Sequence, residues 1–143
     1  MCFEHFSSYF KYYFVGTNAP ECFNFMTLDD STRRAGQSTG EYRYDSYLKP
    51  SWYRFVTGIR MPTRSSSSSS SYCYSSGRCY TSYQGVLIGS HPSSYGRVQR
   101  KVCFGSSGNC CRYYKYIYVR NCGTFYVYQL QPTCSSCRYC TVY

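Results

Sequence analysis

In the second half of the chain, apolar and polar positions alternate with a period of two. In Tyr116-Ile117-Tyr118-Val119-Arg120, Ile117 and Val119 alternate with Tyr116, Tyr118 and Arg120, and Phe125-Tyr126-Val127-Tyr128 follows the same rule. That period belongs to half-buried strands. Asn121-Cys122-Gly123-Thr124 stands between the two runs and supplies the Asn and Gly of a tight connection, so the pair predicts a hairpin. Residues 98–130 as a whole read as β. Upstream, Ser51-Trp52-Tyr53-Arg54-Phe55-Val56 predicts a short aromatic strand ended by Gly58, after turn chemistry at Asp29-Asp30-Ser31, Gly36 and Gly40. No segment has helical periodicity. Residues 65–71 are an unbroken serine run, read as a flexible loop because it has nothing to bury. Residues 1–21 read as a leader or a fragment of a preceding region, and 22–143 as the folded module.

The aliphatic supply is thin. With 143 residues the chain fits a single core, yet Leu, Ile and Val together number 15. Against that stand 20 Tyr and 11 Cys. A buried Tyr removes a large apolar area while keeping one hydrogen-bonding group, and each native disulfide typically contributes about 2–4 kcal/mol. The expected fold is mainly β, a small disulfide-rich domain with a C-terminal β-hairpin and long loops. Such cores belong to oxidising compartments, which makes the expected location extracellular, secreted or ectodomain. The first 20 residues are interrupted by Glu4, His5 and Lys11, so no secretory h-region stands out and the extracellular expectation rests on the cysteines. No run approaches the ~18 apolar residues of a membrane-spanning helix, and no membrane insertion is expected of this chain.

Charge is segregated. All six acids (Glu4, Glu21, Asp29, Asp30, Glu41, Asp45) lie in the first 45 residues, which carry a net −2, while residues 46–143 carry 12 Lys and Arg and no acid. A segment without carboxylates builds no Ca²⁺ site, glycosidase dyad or carboxylate general base, so no enzyme is expected. The excess of positive charge suggests an anionic partner, with Arg97, Arg100, Lys101, Arg112, Lys115 and Arg120 as candidate polyanion-binding residues. Arg112-Tyr113-Tyr114-Lys115-Tyr116 interleaves cations and aromatics as single-strand nucleic-acid binders do. It equally describes a Tyr-rich sheet with snorkelling cations, and without a recognition motif nucleic acid is not an expected partner.

The cysteines read as one framework: Cys22, Cys73, Cys79, Cys103, Cys110, Cys111, Cys122, Cys134, Cys137 and Cys140. Adjacent Cys110 and Cys111 point to opposite sides of a strand and must reach two different partners. Cys73 and Cys79 bracket a small loop. Cys134-Ser135-Ser136-Cys137-Arg138-Tyr139-Cys140 offers two C-x2-C steps, but zinc commonly takes two separated ligand pairs, and the second pair here would be Cys110-Cys111. Disulfides are therefore expected, with no metal and no cofactor. His91, just before Pro92, is expected to be a turn or packing residue rather than the base of a catalytic Cys–His pair.

Taken together, Cys22-x5-Leu28-Asp29-Asp30-Ser31-Thr32-Arg33, Trp52-Tyr53-Arg54-Phe55, Ile59-Arg60-Met61-Pro62-Thr63, Gly89-Ser90-His91-Pro92 and the later cysteine motifs resemble the uromodulin-type eight-cysteine domain, or decoy module. The resemblance covers residues 22–140. It implies an extracellular, non-enzymatic recognition domain within a larger secreted or membrane-anchored protein; joined to the positive charge, it makes adhesion or innate defence the expected role and an extracellular protein or anionic glycan the expected ligand. A Tyr/Cys-rich structural or adhesive matrix protein and a cationic defence protein are the alternatives. The chain departs from the family pattern in four places. Tyr44 stands where the family usually has a cysteine, an additional cysteine (Cys134 or Cys137) sits in the tail, residues 65–71 expand a short loop, and no Asn-x-Ser/Thr acceptor occurs. From the cysteine exchange, at least two of Cys134, Cys137 and Cys140 are expected to bond outside the tail, with Cys2 the leading free thiol.

Overall fold

The computed structural model describes residues 18–142 apart from 38–39, 57–58 and 68–72. Most of the leader, Cys2, Gly58 and the serines from 68 onward lie outside the described residues. The described residues form eight strands: β1 Met26–Leu28, β2 Ser51–Phe55, β3 Thr63–Arg64, β4 Tyr83–Ile88, β5 Arg97–Ser106, β6 Asn109–Asn121, β7 Tyr126–Leu130 and β8 Cys137–Tyr139. Two 3₁₀ turns, Pro20–Cys22 and Ser31–Arg33, flank β1. The sheet order is β1-β2-β7-β6-β5-β4-β3, with β8 sharing the β4 edge. The fold is mainly β and disulfide-rich, as expected.

The hairpin read from the alternation is β6–β7, with Val119 opposite Tyr128 and Asn121 opposite Tyr126. Gly123 adopts φ 95° in its connection, a left-handed conformation that glycine reaches at no steric cost. A longer hairpin, β5–β6, forms the centre of the sheet, with Val98 opposite Val119, Val102 opposite Lys115 and Phe104 opposite Tyr113. Its register shifts between Phe104 and Ser106.

Because opposed residues share a face, Val98, Val102 and Phe104 point inward with Ile117 and Val119. They pack with Tyr53, Phe55, Leu87, Tyr128, Leu130 and Tyr139. Three of these core residues are tyrosines, and each buried hydroxyl is satisfied. Tyr53 donates to Lys49 O at 2.6 Å and Tyr139 to Gln131 O at 2.9 Å. Tyr128 accepts from Met61 N at 3.1 Å and shares a hydrogen bond of 2.7 Å with His91 Nε2. Tyrosine thus supplies the apolar area that the few aliphatic residues do not.

Among the described residues five disulfides complete the fold: Cys22–Cys122, Cys73–Cys110, Cys79–Cys140, Cys103–Cys111 and Cys134–Cys137. Cys110 and Cys111 reach different partners, one in the loop before β4 and one across the hairpin in β5. The tail expectation is corrected: Cys140 alone of its three cysteines bonds outside the tail. Asp45 explains why. Its N–H donates to Cys137 O at 2.9 Å, its carbonyl accepts from Thr133 N at 3.2 Å, and its carboxylate accepts from Tyr139 N at 2.8 Å. The tail is held in a tight turn, Cys137 N donating to Cys134 O at 3.1 Å, with the two Cα atoms 5.1 Å apart, well inside the span of a cystine. Tyr44 precedes Asp45 without a thiol to offer, and Cys137 closes onto its near neighbour Cys134.

Candidate functional site

The outer face of the β5–β6 hairpin carries alternate residues Arg97, Gln99 and Lys101 from β5, opposite Arg120, Tyr118 and Tyr116 from β6. The Arg97 guanidinium lies 4.7 Å from the centre of the Tyr118 ring, and Lys101 Nζ 4.5 Å from that of Tyr114. Tyr114 and Tyr116 meet edge to face at 5.9 Å, and both are more than half exposed. Cations over ring faces gain from the ring quadrupole, about 0.5–1 kcal/mol at exposed sites. The result is a platform of tyrosines with positive charge fixed above it.

The six candidate cations do not form one surface. Arg97 and Lys101 share the platform. Arg112 and Lys115 line a separate groove of about 420 Å³ with Phe104, Tyr113, Tyr114, Thr133 and Cys134, and Lys115, opposite Val102, lies on the face of the hairpin away from the platform. Arg112 also stacks 5.3 Å over Tyr83. Arg100 faces the other way, donating to Ser90 O at 2.9 Å and Gln99 O at 3.1 Å. Arg120 is on the platform side but is paired with Glu21, Nε to Oε1 2.9 Å, and donates to Tyr95 O at 2.9 Å. The Cys22–Cys122 disulfide brings that carboxylate to the hairpin end. Burial would raise the Glu21 carboxyl, but its backbone hydrogen bond and Arg120 outweigh burial and lower it.

The remaining buried charges are structural. Arg33 and Asp45 form a two-pronged pair, and Arg138 Nη2 meets Asp30 Oδ2 at 2.7 Å while its Nη1 donates to Cys79 O at 3.0 Å. Burial, then the Arg33 charge, lowers the Arg138 guanidinium to about 10, against the pull of Asp30 and Asp45. Two of the six acids are thereby committed to buried arginines. The sequence signal for these pairs is the confinement of acids to the first 45 residues; nothing in it indicates that Arg33 and Arg138 are their partners. His91 packs 4.5 Å from the Tyr126 ring and bonds to Tyr128, a packing role.

Residues 53–141 match the family described as uromodulin-like. The chain is 38% identical over 126 residues to the pancreatic secretory granule membrane major glycoprotein GP2 of Canis lupus familiaris, and 35% identical over 127 residues to that of Homo sapiens. It is 37% identical over 126 residues to uromodulin of Mus musculus. These alignments cover 84%, 85% and 84% of this chain but 23%, 22% and 18% of the relatives. The chain therefore spans about a fifth of the length of the curated relatives it matches.

Proposed function

This chain belongs to the uromodulin-like domain family, a disulfide-rich extracellular type of domain, and on that premise we propose that it is a non-enzymatic recognition module whose outer hairpin face binds anionic glycans. The observation that carries the proposal is the stacking of Arg97 on Tyr118 and of Lys101 on Tyr114, on strands drawn from a segment without a single carboxylate. Exposed tyrosine rings offer apolar faces to sugar rings, and the fixed cations meet sulfate or carboxylate groups. Arg112 and Lys115 supply further positive charge in the separate groove beside the tail. Recognition by the chain's own N-glycans is not proposed, since it has no Asn-x-Ser/Thr acceptor. A binding rather than catalytic role is supported by the commitment of Asp30, Asp45 and His91 to packing partners.

Retention on a heparin column tests the reading. The chain is expected to elute above physiological salt, and Arg97→Ser/Lys101→Ser well below the parent, because surface attraction is screened over about 8–10 Å. Elution of parent and variant together, below physiological salt, would refute it.

A further inference from the structure

Strand β6 outruns its neighbour on one side. β5 lies beside it from Tyr113 to Arg120, whereas β7 pairs with it only at Val119, Arg120 and Asn121. Among the described residues, no strand pairs with the other edge of β6 between residues 112 and 118. Two hydrogen bonds fix which backbone groups that edge presents. Asn121 N donates to Gly96 O, on the β5 side, at 2.9 Å, and Cys122 N to Phe125 O, on the β7 side, at 2.8 Å. Successive residues of a strand turn their N–H and C=O groups to opposite edges. Those of Lys115 and Ile117 therefore go to β5, and those of Tyr114 and Tyr116 to the open edge. The N–H groups of Tyr114 and Tyr116 meet no acceptor among the described residues. The groove of about 420 Å³ is lined by Arg112, Tyr113, Tyr114 and Lys115 in unbroken succession, with Thr133 and Cys134 of the tail. Side chains alternate between the two faces of a strand, so a groove touched by four consecutive residues follows the strand's edge.

We propose that the open edge of β6 receives an extended acidic peptide as an added strand. Unpaired edge groups are a template for another strand, in which main-chain bonds give affinity and alternate side chains give specificity. Charge selects the occupant. Arg112 and Lys115 form no ion pair among the described residues, and residues 46–143 contain no acid. Opposite charges across a strand pair attract, and like charges directly opposite are destabilising. An acidic strand is therefore favoured, and a second copy of this chain, which would bring two such cationic edges together, is disfavoured. Tyr114 and Tyr116 are more than half exposed and offer rings to the residues between the acids. The occupant thus alternates acidic residues on the Lys115 side with apolar or aromatic ones on the tyrosine side. The contact is made by the backbone edge of β6 rather than by the Arg97 and Lys101 face, so this inference and the glycan reading stand or fall independently.

The test is amide hydrogen exchange, read by NMR on the whole ¹⁵N-labelled chain with and without the peptide acetyl-Glu-Val-Glu-Tyr-Glu-Val-amide. In the free chain the Tyr114 and Tyr116 amides are expected to exchange fast, and those of Lys115 and Ile117 slowly. Saturating peptide should slow Tyr114 and Tyr116 at least tenfold and leave Lys115 and Ile117 unchanged. Two further peptides, N-methylated at alternate residues in the two possible phases, keep the charge and the side chains. One phase should bind like the parent peptide and the other at least tenfold more weakly, because only one edge of the added strand pairs with β6. Lys115→Glu should weaken the acidic peptide severalfold, and a peptide with Lys in place of Glu should not bind the parent chain. Slow exchange of Tyr114 and Tyr116 in the free chain, equal binding of the two methylated peptides, or binding that leaves Tyr114 and Tyr116 unprotected would each overturn the proposal. Protection that grows with protein concentration alone would assign the edge to a second copy and overturn it as well.

Discussion

Arg33 and Asp45 meet along both edges of the ion pair, Nη1 to Oδ2 at 2.8 Å and Nη2 to Oδ1 at 2.9 Å, and both side chains are more than 90% buried. The same carboxylate accepts from Tyr139 N, and Arg33 Nη1 donates to Tyr139 O at 3.0 Å. One pair therefore joins the opening segment to strand β8. Removing one partner strands a buried charge, at about 3–5 kcal/mol. Asp45→Ala is expected to lose that much in urea unfolding, and Arg33→Met a comparable amount. The Arg33→Met/Asp45→Asn double variant should lose clearly less than the sum of the single changes. Strict additivity would show that the pair does not act as a unit.

The disulfides differ in what they restrain. Cys22–Cys122 joins residues 100 apart, whereas Cys134–Cys137 spans a separation of 3. By the loop-closure relation the first contributes up to about 5 kcal/mol and the second about 2 kcal/mol. Cys22→Ser/Cys122→Ser should therefore lower stability more than Cys134→Ser/Cys137→Ser, and it should also release Glu21 from Arg120. Peptide mapping without reduction is expected to yield a Cys134–Cys137 peptide and a Cys79–Cys140 peptide. Recovery of Cys134 or Cys137 bonded outside the tail would contradict the structure.

Stability should fall on acidification in two stages. Burial, and then the charges of Arg60 and Arg100, lower His91 from 6.5 to about 4. The unfolded chain therefore takes up this proton first. Stability is complete above pH 6.5 and is lost as pH falls toward 4. Taken at face value the shift is worth about 3 kcal/mol, and partial exposure of the ring reduces it to about 1–2 kcal/mol. Asp30 acts lower: burial would raise its carboxyl, but Thr32, Arg138 and Arg43 hold it at about 2, so its contribution is lost between pH 3.8 and 2. Glu21 adds to the loss only below 4.5. Chemical denaturation at pH 7.0 and 5.0 isolates His91, and His91→Gln should flatten that interval. An equal decline in His91→Gln would remove His91 as its cause.

The alternating runs ending at Arg120 and Tyr128 reveal the hairpin directly, because a period of two survives wherever one face is buried. The Tyr-based core is legible from composition, and the adjacency of Cys110 and Cys111 announces two partners. Less visible is the turn at residues 107–108, where Ser107 and Gly108 interrupt a run that otherwise reads as continuous β. The three-residue strands β1 and β8 are too short to display a period and owe their existence to parallel neighbours, β1 on β2 and β8 on β4. The tail pairing is misleading in sequence because loss of a half-cystine at Tyr44 points to a distant replacement, whereas Asp45 folds the tail into a turn that brings Cys134 and Cys137 together. Among the candidate cations, strand parity separates Arg97 and Lys101 from Arg100 and Lys115. Only the Cys22–Cys122 disulfide reveals that Arg120 is met by Glu21.

The central claim is that the outer hairpin face binds anionic glycans, and a chemical-shift map with a heparin tetrasaccharide tests it most directly. In ¹⁵N-labelled protein at low salt, shifts are expected to concentrate at Arg97, Lys101, Tyr114, Tyr116 and Tyr118, with a weaker effect at Arg112. Their midpoint should move steeply to higher ligand concentration as salt is raised, and the Arg97→Ser/Lys101→Ser variant should bind at least tenfold more weakly. Shifts scattered over the surface, or confined to Arg100 and the opposite face, with the variant unchanged, would contradict the account.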